Sequence, residues 1–103
     1  MSTIPSWAEF EAVARTRGCD EVMVRDWSPH EVVPTHSHPF AAEALVVAGE
    51  MWLTRNTDVE HLKPGGTFVL APGEPHDERY GPDGATYWVA RTTPVEPNTT
   101  KDN

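Results

Sequence analysis

The sequence predicts an all-β domain, a double-sheet roll or barrel carrying one short N-terminal helix. Two observations lead there. Ten prolines and seven glycines punctuate apolar runs that seldom exceed six residues, and from Glu21 onward those runs have the length of short strands with no helical pattern between them. The chain has 103 residues, enough for one hydrophobic core and so for one domain.

Taken in order, Ser6-Trp7-Ala8-Glu9 has the spacing of a capping box, and Gly18 stands where a helix would end in a left-handed residue. A helix is therefore predicted over Trp7–Thr16. Its apolar stripe of Trp7, Phe10, Val13 and Ala14 would lie against the barrel or a partner subunit. Strands are predicted over Glu21–Trp27, Glu31–Thr35, Ala41–Ala48, Met51–Arg55, Val59–Leu62, Thr67–Ala71, Asp77–Tyr80 and Ala85–Arg91. Asn56-Thr57-Asp58, Lys63-Pro64-Gly65-Gly66 and Gly81-Pro82-Asp83-Gly84 supply turns. The expected organisation is a helical segment over 1–20, a barrel over 21–91 and a flexible tail over 92–103, rich in Pro, Thr and Asn.

Sixteen acidic against eight basic residues give a net charge of −8, a surface that repels phosphate backbones and anionic lipid headgroups, so neither nucleic acid nor membrane is expected as a partner. Met1 to Phe10 has no basic leader followed by an apolar stretch, and no eighteen apolar residues run together, so a cytoplasmic protein is expected. The single cysteine, Cys19, cannot form an internal disulfide.

His36-Ser37-His38 is the sharpest chemical feature. On a strand, residues i and i+2 share a face about 6.5 to 7 Å apart, so two imidazoles can converge on one ion with nitrogen–metal bonds of ~2.0–2.1 Å. By itself the pair is also what two surface histidines would look like. Thirty-eight residues after His38, a glycine turn, a short apolar strand and a Pro72-Gly73 turn lead to His76, which would return the chain beside the first pair.

With these residues in view, the chain resembles the cupin superfamily. The first cupin motif has His-x-His, three or four residues, Glu, about six residues and Gly; here it reads HSHPFAAEALVVAG, His36 to Gly49. The second has Gly, five residues, Pro-x-Gly, two residues, His, three residues and Asn; here it reads GGTFVLAPGEPHDERY, Gly65 to Tyr80. The resemblance covers about Trp27 to Arg91. It implies a small cupin, a double-stranded β-helix or jelly-roll barrel, that forms a homodimer and binds one divalent transition metal (iron, zinc, nickel or manganese) through His36, His38 and His76. It also implies a small-molecule ligand or substrate. A metal-dependent enzyme with dioxygenase-like or related oxygen chemistry and a non-catalytic binding or sensing module both fit.

The fourth ligand is a question of register. Glu43 has an allowed spacing after His38, yet counting back from Gly49 lands on Ala42, and adjacent strand residues face opposite sides. Glu43 is carried forward as a fourth ligand on that condition. Glu78, two residues after His76, is an alternative carboxylate but reads first as a solvated charge within Asp77-Glu78-Arg79. Tyr80 continues the same alternation, able to donate into a cavity or to pack at its mouth. Phe40 is the expected apolar wall. Trp27, Trp52 and Trp88 read as packing residues, and His30 and His61 as surface residues. Arg55, Arg79 and Arg91 could each meet an anionic substrate, with nothing to choose among them.

Overall fold

The computed structural model describes residues 4–94. It consists of α1 (Trp7–Thr16), β1 (Glu21–Trp27), β2 (Val32–His36), β3 (Ala41–Arg55), β4 (Asp58–Leu62), β5 (Thr67–Leu70) and β6 (His76–Thr92). The helix starts as predicted. Ser6 Oγ accepts from the Glu9 amide at 3.1 Å, and Glu9 Oε1 accepts from the Ser6 amide at 2.8 Å.

Six strands stand where eight were predicted, because β3 and β6 are each long enough to serve two sheets. Their first and second halves have different neighbours. The first sheet runs β1, the second half of β6, the first half of β3, then β5, all antiparallel. The second runs β2, the first half of β6, the second half of β3, then β4, again all antiparallel. The two sheets face each other as a jelly roll, and both central strands cross at one corner.

That corner explains the miscounted strands. Gly81-Pro82-Asp83-Gly84 does not reverse the chain; these four residues lie opposite the single Glu50 of β3, and pairing resumes on both sides. Val47 is a second irregularity, extra on β3. Such bulges bend a strand and let it leave one sheet for the other. Gly49 and Gly84 sit at the bend with φ of +72° and +70°, a region that L residues enter with strain. They also touch: a Cβ on Gly49 would meet the backbone of Gly84 and Ala85. The sequence signals for a turn and for a bulge at this point are the same residues.

Between the sheets, Ala42, Ala44, Val46 and Phe68 from the first pack on Met51, Leu53 and Tyr80 from the second. Val46, Met51 and Leu53 are fully buried, each contributing on the order of 1.5–3 kcal/mol. The helix covers part of the outer face of the first sheet. Ala14, Cys19 and Ala90 are buried there beside Phe10 and Val22, and Trp7 meets Trp88 edge-on at 5.4 Å.

No helix among the described residues is long and apolar enough to cross a membrane. Of the predicted tail, 95–103 lie outside the described residues, and its first residue, Thr92, ends β6 instead. The next amide, Thr93, donates to Asp20 Oδ2 at 2.5 Å.

Candidate metal centre

His36 is the last residue of β2 and pairs with His76, the first of β6. His38 lies past the strand end, so the simple i, i+2 strand geometry does not hold for it. A loop contact places it instead: the Gly73 amide donates to the His38 carbonyl at 2.7 Å, tying the Pro72-Gly73 turn to the His-x-His segment. The ring centroids are 4.3 Å apart for His36 and His76, 4.9 Å for His38 and His76, and 5.2 Å for His36 and His38. One nitrogen from each ring lies within 4.8 Å of the other two. Donors sharing one ion at ~2.1 Å sit roughly 3 to 3.5 Å apart, so small side-chain rotations would close the set.

The rings are also turned for this task. His36 Nδ1 contacts the Pro34 carbonyl at 2.9 Å and His76 Nδ1 the Glu74 carbonyl at 3.0 Å. Carbonyls accept, so Nδ1 is the donor in each ring and Nε2 is the nitrogen left facing inward. His76 Nε2 is buried and has no hydrogen-bond partner. A buried ring nitrogen without a partner is costly unless something fills its place, and a metal ion fits that need. Burial, then the neighbouring His76 and His36 rings and the more distant Arg91 and Arg25, hold the His38 imidazolium down to about 4. Its lone pair is free at neutral pH.

The structure places Glu43 apart from the three histidines: it lies on the outer face of the first sheet, where its Oε1 meets Arg17 Nη1 at 2.7 Å. The register supplies the reason, since Ala42, paired with Leu70 and Arg91, is the residue of that strand that lines the inner cavity. The carboxylate that does face the histidines is Glu78, which was read as solvated. It is 4% exposed, with Oε2 at 3.4 Å from His76 Nε2, out of hydrogen-bond geometry, and 3.8 Å from His36 Nε2. Tyr80 donates its hydroxyl to Glu78 Oε1 and stacks on Trp27 at 5.1 Å. Burial, then Tyr87 and Glu78, push the Tyr80 phenol well above its ordinary range, so it remains a donor. Tyr87 is pushed up to about 12, chiefly by burial.

A cavity of about 120 Å³ opens beside this cluster, lined by His36, His38 and Glu78 together with Arg25, Trp27, Phe40, Phe68, Tyr87 and Arg91 among others. Phe40 is in the wall as expected, its ring stacked on His38 at 4.5 Å. Trp27 lines the cavity, whereas Trp52 stacks on His61 away from it. Of the three arginines considered, only Arg91 reaches the site. Arg25 reaches it without any sequence signal, whereas Glu78 had one, its two-residue spacing from His76.

The model of the AraC-like ligand-binding domain matches residues 19–101. No curated protein sequence matches. Among solved structures, an uncharacterised conserved protein with a double-stranded β-helix domain from Klebsiella pneumoniae is 27% identical with a TM-score of 0.61, over 69% of this chain and 64% of that one. The cupin domain of Schizosaccharomyces pombe Cnp3 is 12% identical with a TM-score of 0.68, over 91% and 59%. The DMSP lyase DddQ from Ruegeria pomeroyi is 20% identical with a TM-score of 0.66, over 80% and 44%. The chain spans less than two thirds of each of these proteins, and the last two likenesses concern the fold alone.

Proposed function

The chain belongs to the family of AraC-like ligand-binding domains and is a small cupin, and from that premise we propose that it binds one divalent transition metal and presents it to a small molecule. His36, His38 and His76 would hold the ion, with Glu78 as the oxygen donor in place of Glu43. The observation that carries this reading is His76 Nε2, buried without a hydrogen-bond partner and aimed at two other imidazoles. Iron, zinc, nickel and manganese all accept such donors.

A bound ion would supply Lewis-acid or redox chemistry at its open positions. The residues around it do the rest. Tyr80 pins Glu78 Oε1 and leaves Oε2 facing the histidines. Phe40, Phe68, Leu70 and Val89 give the cavity an apolar surface for the carbon part of a ligand. An enzyme acting on a small organic molecule is the preferred form of the proposal, because three histidines leave one position open on a four-coordinate ion, and three histidines with one carboxylate leave two open on a six-coordinate one.

Elemental analysis of freshly purified, untagged protein tests it. One metal per chain, lost in the His36→Ala/His38→Ala double variant, is the expected result; a metal-free wild type that takes up neither zinc nor iron on reconstitution rejects it. The family description favours a second reading, ligand binding without turnover. Tight ligand binding in metal-free protein with no metal-dependent turnover of any substrate would select it. A homodimer belongs to the proposal as well, through the exposed β1 edge and the helix. Light scattering that returns a monomer at micromolar concentration would remove it.

A further inference from the structure

The cavity beside the histidines contains two guanidinium groups, a notable investment in a chain of net charge −8. Arg91 lies in register with Ala42 of β3 and its guanidinium carbon sits 4.3 Å from the Phe40 ring centroid. Arg25 lies in register with Tyr87 and sits 5.0 Å from the Trp27 ring centroid. Stacking on an aromatic face orients a guanidinium but leaves its five in-plane N–H donors unanswered. Arg91 Nε is buried with no hydrogen-bond partner, and its one ion pair, Nη1 to Glu21 at 3.6 Å, is loose. Arg25 has neither an ion pair nor a side-chain hydrogen bond among the described residues. The one carboxylate in the cavity is turned elsewhere: Glu78 faces His36, His76 and Tyr80.

Trp27 Nε1 adds a further donor on the same wall; it lies beside the Tyr87 hydroxyl without meeting hydrogen-bond geometry. Thus every buried side-chain N or O without a partner among the described residues belongs to Trp27, His76 or Arg91; Trp27 and Arg91 line the cavity, and His76 packs against its His36. On the arginine wall these are donors, so what completes that wall must be an acceptor, and the charges make it an anion. A planar carboxylate matches the guanidinium fork. Phe40, Phe68, Leu70 and Val89 line the same cavity, an apolar surface that calls for a carbon stem on the anion. About 120 Å³ is near the size of an apolar cavity that takes benzene, on the order of half a dozen non-hydrogen atoms.

We propose that Arg91 and Arg25 form a carboxylate-binding end of the cavity, so that the small molecule presented to His36, His38 and His76 is a short-chain organic carboxylate. The second half of that statement rests on the metal reading above; the anion site does not. The carboxylate sits on the arginine wall, and the far end of the stem faces the ion.

Calorimetric titration of butyrate into zinc-loaded and into metal-stripped protein tests it, with butyramide as the uncharged isostere. Butyrate is expected to bind both forms, and butyramide about tenfold or more weakly, the scale of one charge-assisted hydrogen bond. Arg91→Gln should weaken butyrate by about tenfold or more with its melting temperature and zinc uptake unchanged, and Arg91→Lys should recover part of the loss. Arg25→Gln, on an edge strand, is a second variant with the same expected direction should Arg91→Gln not fold.

Folded arginine variants that bind butyrate like the wild type overturn the proposal, as does equal affinity for butyramide, or no butyrate binding at millimolar concentration. Binding abolished by chelation yet indifferent to both arginines would put the carboxylate on the metal, and also overturns it. A wild type that takes up no metal but binds butyrate through Arg91 supports the anion site and sinks the metal reading instead.

Discussion

The outer face of the first sheet and the inner face of the second each hold one glutamate that a metal centre could use, and their surroundings differ completely. Glu43 meets Arg17 of the helix terminus with its side chain 35% exposed. Glu78, at 5%, faces two imidazoles and takes a hydrogen bond from a buried tyrosine. The residue type is the same, and strand parity makes the difference. On β3 the inward positions are Ala42, Ala44 and Val46; on β6 they are His76, Glu78 and Tyr80. A one-residue slip of β3 would turn Glu43 inward, and one of β6 would turn Glu78 outward.

The sharpest way to break this comparison is to remove the histidine that anchors the inner face. His76→Ala should lower zinc affinity by at least about a hundredfold, because it removes a donor that even its outer-sphere partners typically influence by 10–100-fold. A chelator competition titration measures it. Retention of wild-type affinity would separate the cluster from metal binding altogether.

Glu78→Gln and Glu43→Gln then test the two carboxylates side by side. The first should cost about 10- to 100-fold in zinc affinity, since Oε2 stands among the donors. The second should leave zinc affinity unchanged. The opposite pattern would restore the sequence-motif assignment of Glu43.

Next in size is the corner that sets the parity. Gly49→Ala places a side chain at φ +72° against the backbone of Gly84 and Ala85, and about 1–3 kcal/mol of stability should be lost. Gly73→Ala makes the matched control, because it has φ +75° but open space around it. Denaturant titration should show the smaller loss there. Equal losses would mean that the close approach of the two crossing strands carries no cost beyond the backbone angle.

These residues also mark how far the sequence could be read. The helix was legible to the residue because its capping box is local, and β1 likewise, bounded by turn residues at both ends. The histidine triad was legible because two spaced motifs named it. The strand count was not, since Gly81-Pro82-Asp83-Gly84 looks the same whether the chain reverses or bulges and crosses between sheets. Glu78 was misread for a related reason: its neighbours Asp77 and Arg79 suggest solvent, and only pairing with β2 and β3 turns it inward. Arg25 carried no motif of its own, and only the pairing of β1 with β6 sets it beside Tyr87 in the cavity wall.

The smallest expected effect is on the outer face. Glu43 and Arg17 form a contact of 2.7 Å between partly exposed side chains, so the pair contributes only about 0.2–1 kcal/mol, less in high salt. Glu43→Gln should lower stability by that amount in dilute buffer, and molar sodium chloride should erase most of the difference from wild type. Arg17→Gln should give a similar loss, and the double variant little more than either single one, because both remove the same interaction. A loss of several kcal/mol, or one that salt leaves intact, would show that Glu43 supports the seat of the helix on the sheet through more than this ion pair, and would narrow the contrast between the two glutamates.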